Sequence, residues 1–330
     1  MLKYVLRNIL MIIPTMLGVI IIVFSINQFT PGDPVALQLG ADYTEEQYLA
    51  KQEEMGLDDP YFTQLFNYLK GIVTKLDFGT SYSTHRPVIT EVKGRIWTSI
   101  KLGLLGIALV IVVGVPIGII SATKQGSPLD YSVTFLSLIL TSMPNFWLCM
   151  ILMLIFSLKL GWVPASGLDV PSAYILPVIG VAITSVTQVI RQTRSSMLEV
   201  VRQDYITTAR AKGLSERTVI YKHALRNALI PVVTLVGMQF GTVFAGSPVI
   251  EAIFNIPGMG TLMLNAINSK DYPEIQSVVL ILSFIVCLTN VLVDIVYGFL
   301  DPRIRAQYAG APKFAVTANE EEEPARATEA

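Results

Sequence analysis

Side chains able to do chemistry are scarce in this chain. No Gly-Lys dipeptide occurs anywhere, so there is no loop of the kind that cradles nucleotide phosphates. If ATP drives this protein, another polypeptide hydrolyses it. Cys149 and Cys287 both fall inside apolar runs, where a small polarizable packing residue is the ordinary role and a disulfide the rare one. Asp294 is the clear carboxylate inside an apolar run. It sits toward one end of that run, where a helix-end contact is the simpler reading and a transport role the sharper one. The dense polar stretch lies elsewhere. DYITTARAKGLSERTVIYKHALRNALIP, Asp204 to Pro231, carries five Lys or Arg, two acids and a central glycine between two apolar runs.

The spacing in that stretch specifies a helix, a sharp turn and a second helix. Arg210 and Lys212 fall in the last turn of a helix opening near Asp204, where cations suit the negative end of the dipole. Gly213 supplies the left-handed residue that ends it. Ser215 can cap the next helix, with Glu216 at its first position and Leu214 placed to pack on Val219 as a hydrophobic staple. Residues 191–226 separate the flanking apolar runs, far more than the 2 to 8 or so residues that join helices in a bundle. The insert suits docking of a partner at its tip, and its basic excess also serves to orient the chain.

What surrounds the insert follows from composition. The 330 residues are 52% hydrophobic and 15% charged, with net charge −1 and mean hydropathy +0.56. A soluble domain is rarely so apolar. Charge-free windows at 8–32, 102–123, 131–158, 170–190, 227–250 and 275–293 each approach or exceed the roughly 20 residues a helix needs to cross the hydrocarbon core. The expectation is an all-α, multi-pass membrane protein with six transmembrane helices: 8–29, 102–123, 131–158, 171–190, 228–250 and 275–300. The first window runs into Phe29-Thr30-Pro31-Gly32-Asp33-Pro34 without a small-x-small site, so it is expected to be retained and not cleaved as a signal.

Basic residues set the orientation. With residues 1–7 inside, the inner segments hold fifteen Lys or Arg and the short outer loops two, so both termini are expected in the cytoplasm. His85 and His223 then lie on opposite sides of the membrane, which excludes a His-rich metal site. Residues 30–97 form a long outer segment that looks folded. Thr44 and Gln47 make a capping-box pattern, Gly56 suits the stop, and a second helix begins at Pro60 with Tyr61, Leu65, Tyr68, Leu69 and Ile72 on one face. That face could receive an extracytoplasmic partner or pack on the membrane and neighbouring spans. The acidic tail, 303–330, reads as disordered.

Small residues recur at four-residue spacing. Gly114 and Gly118 mark the second span, and Gly237, Gly241 and Ala245 the fifth, each a stripe allowing close helix approach. Pro116 and Pro144 are interior kink sites.

Together, several motifs resemble a known family. Thr207-Thr208-Ala209-Arg210-Ala211-Lys212-Gly213 with Pro231 is similar to the EAA loop of type I ABC importer permeases. Arg194-Ser195-Ser196-Met197-Leu198-Glu199, His223-Ala224-Leu225-Arg226-Asn227-Ala228, Pro31-Gly32-Asp33-Pro34, Phe254-Asn255-Ile256-Pro257-Gly258-Met259-Gly260 and Leu300-Asp301-Pro302-Arg303 resemble the dipeptide, oligopeptide and nickel branch. Thr207 and Thr208 replace the general pattern's Glu and Ala, and Arg226 a common proline.

The resemblance implies a type I permease fold with an extracytoplasmic insert after the first span, working in the bacterial or archaeal plasma membrane. It implies a homologous second permease subunit, two cytoplasmic ATPases that carry ATP and Mg, and an extracytoplasmic solute-binding protein. No cofactor and no nucleic acid is implied for this chain. The ATPase-coupling loop would use Asp204, Ala209, Arg210, Ala211, Gly213, Leu214, Ser215, Glu216 and Arg217. Peptides are the expected solute, with nickel and other small solutes compatible. An ion-coupled carrier working alone, or a membrane-anchored receptor, are the alternatives from other classes.

Overall fold

The computed structural model describes residues 2–300 apart from Pro31 and Ala41, and leaves aside the side chains of 2–5, 245, 246, 294 and 296–300. Ala245, Asp294 and the 303–330 tail therefore lie outside the described residues. Among the described residues the chain is helical, with a single isolated bridge between Thr80 and Pro87.

In chain order the α-helices are α1 (Leu2–Phe29), α2 (Pro34–Leu39), α3 (Glu45–Glu54), α4 (Tyr61–Lys75), α5 (Val88–Leu109), α6 (Val115–Thr123), α7 (Pro128–Ser142) and α8 (Asn145–Leu152). They continue with α9 (Ile175–Val201), α10 (Asp204–Ala211), α11 (Glu216–Thr218), α12 (Leu225–Ile253), α13 (Met259–Asn268) and α14 (Tyr272–Leu300). Five helical stretches are long and apolar enough to span a membrane, and α7 with α8 makes a sixth if that bent pair is one span.

The third span, expected over 131–158 with a kink site at Pro144, is sharply broken there. Its two halves meet at 107° across Met143 and Pro144. Proline has no N–H to give the preceding turn, and its ring disfavours helical geometry in Met143 before it. Met143 is extended and Pro144 opens the next helix. The second span is continuous but irregular at one point. A π-turn over Val110–Gly114 precedes Pro116, an arrangement that lets the backbone ladder skip the donor Pro116 lacks.

Around the polar insert the helices run past the ends of the apolar windows. Helix α9 continues past Ile190 to Val201, and α11 joins α12 through a π-turn over Val219–Ala224. The 191–226 region is thus mostly the extended ends of two spans, with α10 and its turn between them. Toward the end of the 30–97 segment, α5 begins at Val88.

Helix α9 is the hub, packed by α5, α6, α7, α8 and α12. It is 61% buried over its most apolar window, against 11% for α1, which leans on α14 at the periphery. Close packing on α9 uses the second span's glycines. A Cβ at Gly118 would lie 2.8 Å from the Ile190 carbonyl oxygen, and one at Gly114 3.3 Å from that of Val186. In lipid, where apolar surface gives no preference for protein over acyl chain, such backbone approach supplies much of the attraction. In the fifth span Gly237 is buried, but a Cβ at Gly241 would keep 3.8 Å from Val286 and Asn290. Contact there does not depend on glycine.

Outside the spans, the Thr44–Gln47 capping box forms with both bonds present, and Gly56 adopts φ 64° just beyond α3. Leu65 of α4 is buried, and Tyr61 of the same helix bonds Ser25 of α1 at 2.7 Å.

Candidate functional site

The insert is an exposed ridge on a buried footing. Along α10, Ile206 and Ala209 lie three residues apart and face inward, both buried. They pack with Ile119 and Ala122 at the end of α6, Met197 near the end of α9, Val219 and Ala224 in the π-turn, and Ala228 of α12. Asn227 donates to the Tyr205 hydroxyl at 2.8 Å, adding a polar tie to α12. One short helix therefore grips the ends of three spans.

Everything on the other side of the ridge faces solvent. Asp204 sits in the first turn of α10, and residues 210–217 are all exposed. Gly213 ends the helix at φ 78°, its N–H bonded to the Arg210 carbonyl at 2.9 Å. This is left-handed backbone, strained for any residue with a Cβ. Ser215 then caps α11 by accepting from the Thr218 N–H, and Glu216 occupies the first helical position.

Arg210 and Glu216 bridge the turn at 2.9 Å. Both are well exposed, so the pair fixes geometry more than it stabilises, about 1 kcal/mol or less. Leu214 remains 40% exposed, while Val219 is buried against the spans. The apolar tip is thus presented outward and does not belong to the cluster beneath it. Lys212, Ala211 and Arg217 share the exposed surface around it. A groove of about 320 Å³ opens beside the ridge, walled by Met197, Leu198 and Val201, with Arg210 and Glu216 among its lining residues. The ridge is footed on the ends of α6, α9 and α12 together.

At the other end of the bundle, two carboxylates not singled out in the sequence do structural work. Glu251 is wholly buried and accepts from Ser99 Oγ at 2.6 Å, Ser247 Oγ at 3.2 Å and the Gly260 N–H at 2.7 Å. Ser99 Oγ in turn accepts from the Met259 N–H at 2.8 Å. The first turn of α13 is thereby capped by a side chain on α12, where anions suit the positive helix end. Asp271, also buried, accepts from Ser81 Oγ and the Ser83 N–H, holding the 76–87 loop to the start of α14. Tyr82 beside it is pushed up to about 12, first by burial and then by the Asp271 charge.

With fold and ridge defined, comparison with known proteins places the chain. Residues 114–306 match the family described as binding-protein-dependent transport system inner membrane component, and residues 1–103 match its N-terminal companion family. The chain belongs to this family of permease subunits of ABC importers. It is 39% identical to the dipeptide transport system permease protein DppB of Alkalihalophilus pseudofirmus, over 92% of this chain and all of that one. It is 41% identical to the glutathione transport system permease protein GsiC of Salmonella typhimurium, over 92% of this chain and 99% of the other. A chain of the inward-facing MetNI methionine ABC transporter shares the fold, with TM-score 0.54 and 17% identity over 64% of this chain and 97% of that one. These relatives agree with an all-helical type I importer permease.

Proposed function

We propose that this chain is one of two pathway-forming permeases in a peptide importer, and that α10 with the Gly213 turn is where separate ATPases drive it. The observation that carries this reading is the ridge itself: a solvent-facing tip rigidly footed on three span ends. Closure of an ATPase pair on bound ATP and Mg would push that tip, and the attached spans would switch which end of the pathway is open. The chain itself would hold no cofactor. The permease relatives named for dipeptide and glutathione transport support a peptide solute.

In this reading both termini and the ridge face the cytoplasm, as the excess of basic residues at that end supports. The segment from α2 to Pro87 would face the solute-binding protein's side of the membrane. Solute choice would rest largely with that protein. The test is uptake of a labelled dipeptide by vesicles containing the full assembly with its binding protein and internal ATP. Import that needs all components is the expected result. Uptake by the purified chain alone, driven by an ion gradient, would replace this reading with that of a secondary carrier.

A further inference from the structure

At half-depth in the bundle, four helices bring uncharged polar side chains together inside otherwise apolar spans. Thr184 Oγ1 of α9 donates to Asn145 Oδ1 of α8 at 2.6 Å. Ser185 Oγ of α9 donates to Gln239 Oε1 of α12 at 2.7 Å, and Gln239 Nε2 donates to Gln188 Oε1 at 2.6 Å. Thr187 of α9 and Thr141 of α7 have their hydroxyls 2.8 Å apart. Gln239 lies midway along the 29-residue α12, residues 184–188 midway along the 27-residue α9, and Asn145 directly after the 107° bend. No charged residue occurs within 131–158, 175–190 or 227–250.

Polar groups are costly in such surroundings unless paired. Hydrogen bonds between spans are also ordinary glue, so the network alone is not a site. Two of its members go further than glue requires. The side-chain NH₂ groups of Asn145 and Gln188 have no hydrogen-bond partner among the described residues, and both side chains are only half-buried. Each side-chain oxygen is held by a neighbour's donor, and each residue keeps part of its surface exposed. Ser185 and Gln239, by contrast, are buried and bonded to each other.

We propose that Asn145 and Gln188 form a transit subsite that donates hydrogen bonds to the backbone carbonyl oxygens of a peptide crossing the membrane. This rests on the peptide reading above and names the chemistry of the pathway within it. Fixed, neutral donors suit a carbonyl that every peptide carries, whatever its side chains. They also bind it without the strong hold a charge would exert, so release remains easy. Asn145 opens α8 directly after the bend at Met143–Pro144 and bonds Thr184, about one helical turn from Gln188 on α9.

The test uses the wild-type assembly first. A dipeptide containing a diazirine analogue of leucine is imported into vesicles, irradiated during turnover, and the crosslinked residues are mapped by mass spectrometry. Labelling of residues within 141–146, 184–188 or 238–240 is expected. Labelling confined to other parts of this chain, or none in it, overturns the subsite. Gln188→Met and Asn145→Leu are then compared in assembled complexes. Each should lower uptake by about fivefold, the order one hydrogen bond contributes, while ATP hydrolysis stimulated by the loaded binding protein stays near wild type. Unchanged uptake in both variants also overturns the proposal. If either variant fails to assemble, the crosslinking map decides. If the wild-type assembly imports no dipeptide at all, the peptide reading fails and the subsite falls with it, a result distinct from import without labelling.

Discussion

Asp130 and Arg194 clasp each other through two hydrogen bonds, Arg194 Nε to Oδ1 at 2.6 Å and a terminal guanidinium nitrogen to Oδ2 at 2.8 Å. Asp130 lies in the first turn of α7 and Arg194 beyond the apolar window of α9, so the fork joins the third and fourth spans at the end of the bundle where α10 sits. Ser121 Oγ and the Gly126 N–H complete the carboxylate's shell. Asp130→Asn would leave the guanidinium facing a neutral group and break the bidentate geometry. The expected loss lies below the roughly 3–5 kcal/mol of a fully buried pair, because Arg194 keeps access to water. Arg194→Lys should cost less than Asp130→Asn, since charge remains and only the fork is lost. Thermal unfolding of the purified assembly, followed by intrinsic fluorescence, gives the order directly.

Gly213 offers a cleaner separation of strain from packing. A Cβ there would meet no atom within 4 Å, so any penalty comes from φ 78° alone. Gly213→Val should cost about 1–3 kcal/mol locally and re-aim α11, whereas Gly213→Asn should be milder because asparagine tolerates left-handed backbone. Both variants should insert and assemble, with uptake falling in the order glycine, asparagine, valine. Equal uptake by the valine variant would show that the turn's geometry is dispensable.

Glu251 predicts a local defect at the opposite end. Glu251→Leu removes the acceptor for Ser99, Ser247 and the Gly260 N–H at once, leaving buried donors at about 1–3 kcal/mol each. Amide exchange in Met259–Asn268 should accelerate strongly in that variant. Glu251→Gln keeps one acceptor oxygen and should show a smaller change. Unaltered protection in the leucine variant would mean that α13 is held by packing alone.

The sequence made the ridge readable and left much of the membrane interior hidden, for physical reasons. Gly213, Ser215 and Glu216 were legible because capping and left-handed turns depend on a few neighbouring residues. The apolar window ends at charged Arg191, whereas helix α9 runs on to Val201 because nothing in 191–201 breaks a helix. Pro144 was legible as a kink site, but the size of the bend depends on how the two halves pack. Glu251 fell one residue beyond the fifth window. The amides of Gln188 and Gln239 carry no charge, so they do not interrupt the charge-free windows that contain them. A usable signal was present: Ser185, Gln188, Gln192 and Ser196 follow one another at helical spacing and form a polar stripe along α9.

Orientation is checked by labelling. A cysteine at exposed Thr74, in α4, should react with a membrane-impermeant thiol reagent in intact cells, and one at exposed Ser215 only after permeabilisation. Cys149 is buried and Cys287 partly so, which keeps the background low. The reverse pattern would invert the topology assigned from basic residues.

The claim that the ridge transmits ATPase motion is tested most directly at Leu214, whose exposed side chain touches none of the machinery within the spans. Leu214→Asp leaves the Gly213 turn and the buried footing intact, and puts a carboxylate where an apolar contact is expected, a burial that is unfavourable without a partner. The measurement is ATP consumed per solute imported by the reconstituted assembly. Normal insertion of the chain with import largely lost is expected, the ATPases either dissociating or turning over without moving solute. Wild-type import at the wild-type ratio of ATP to solute would contradict it.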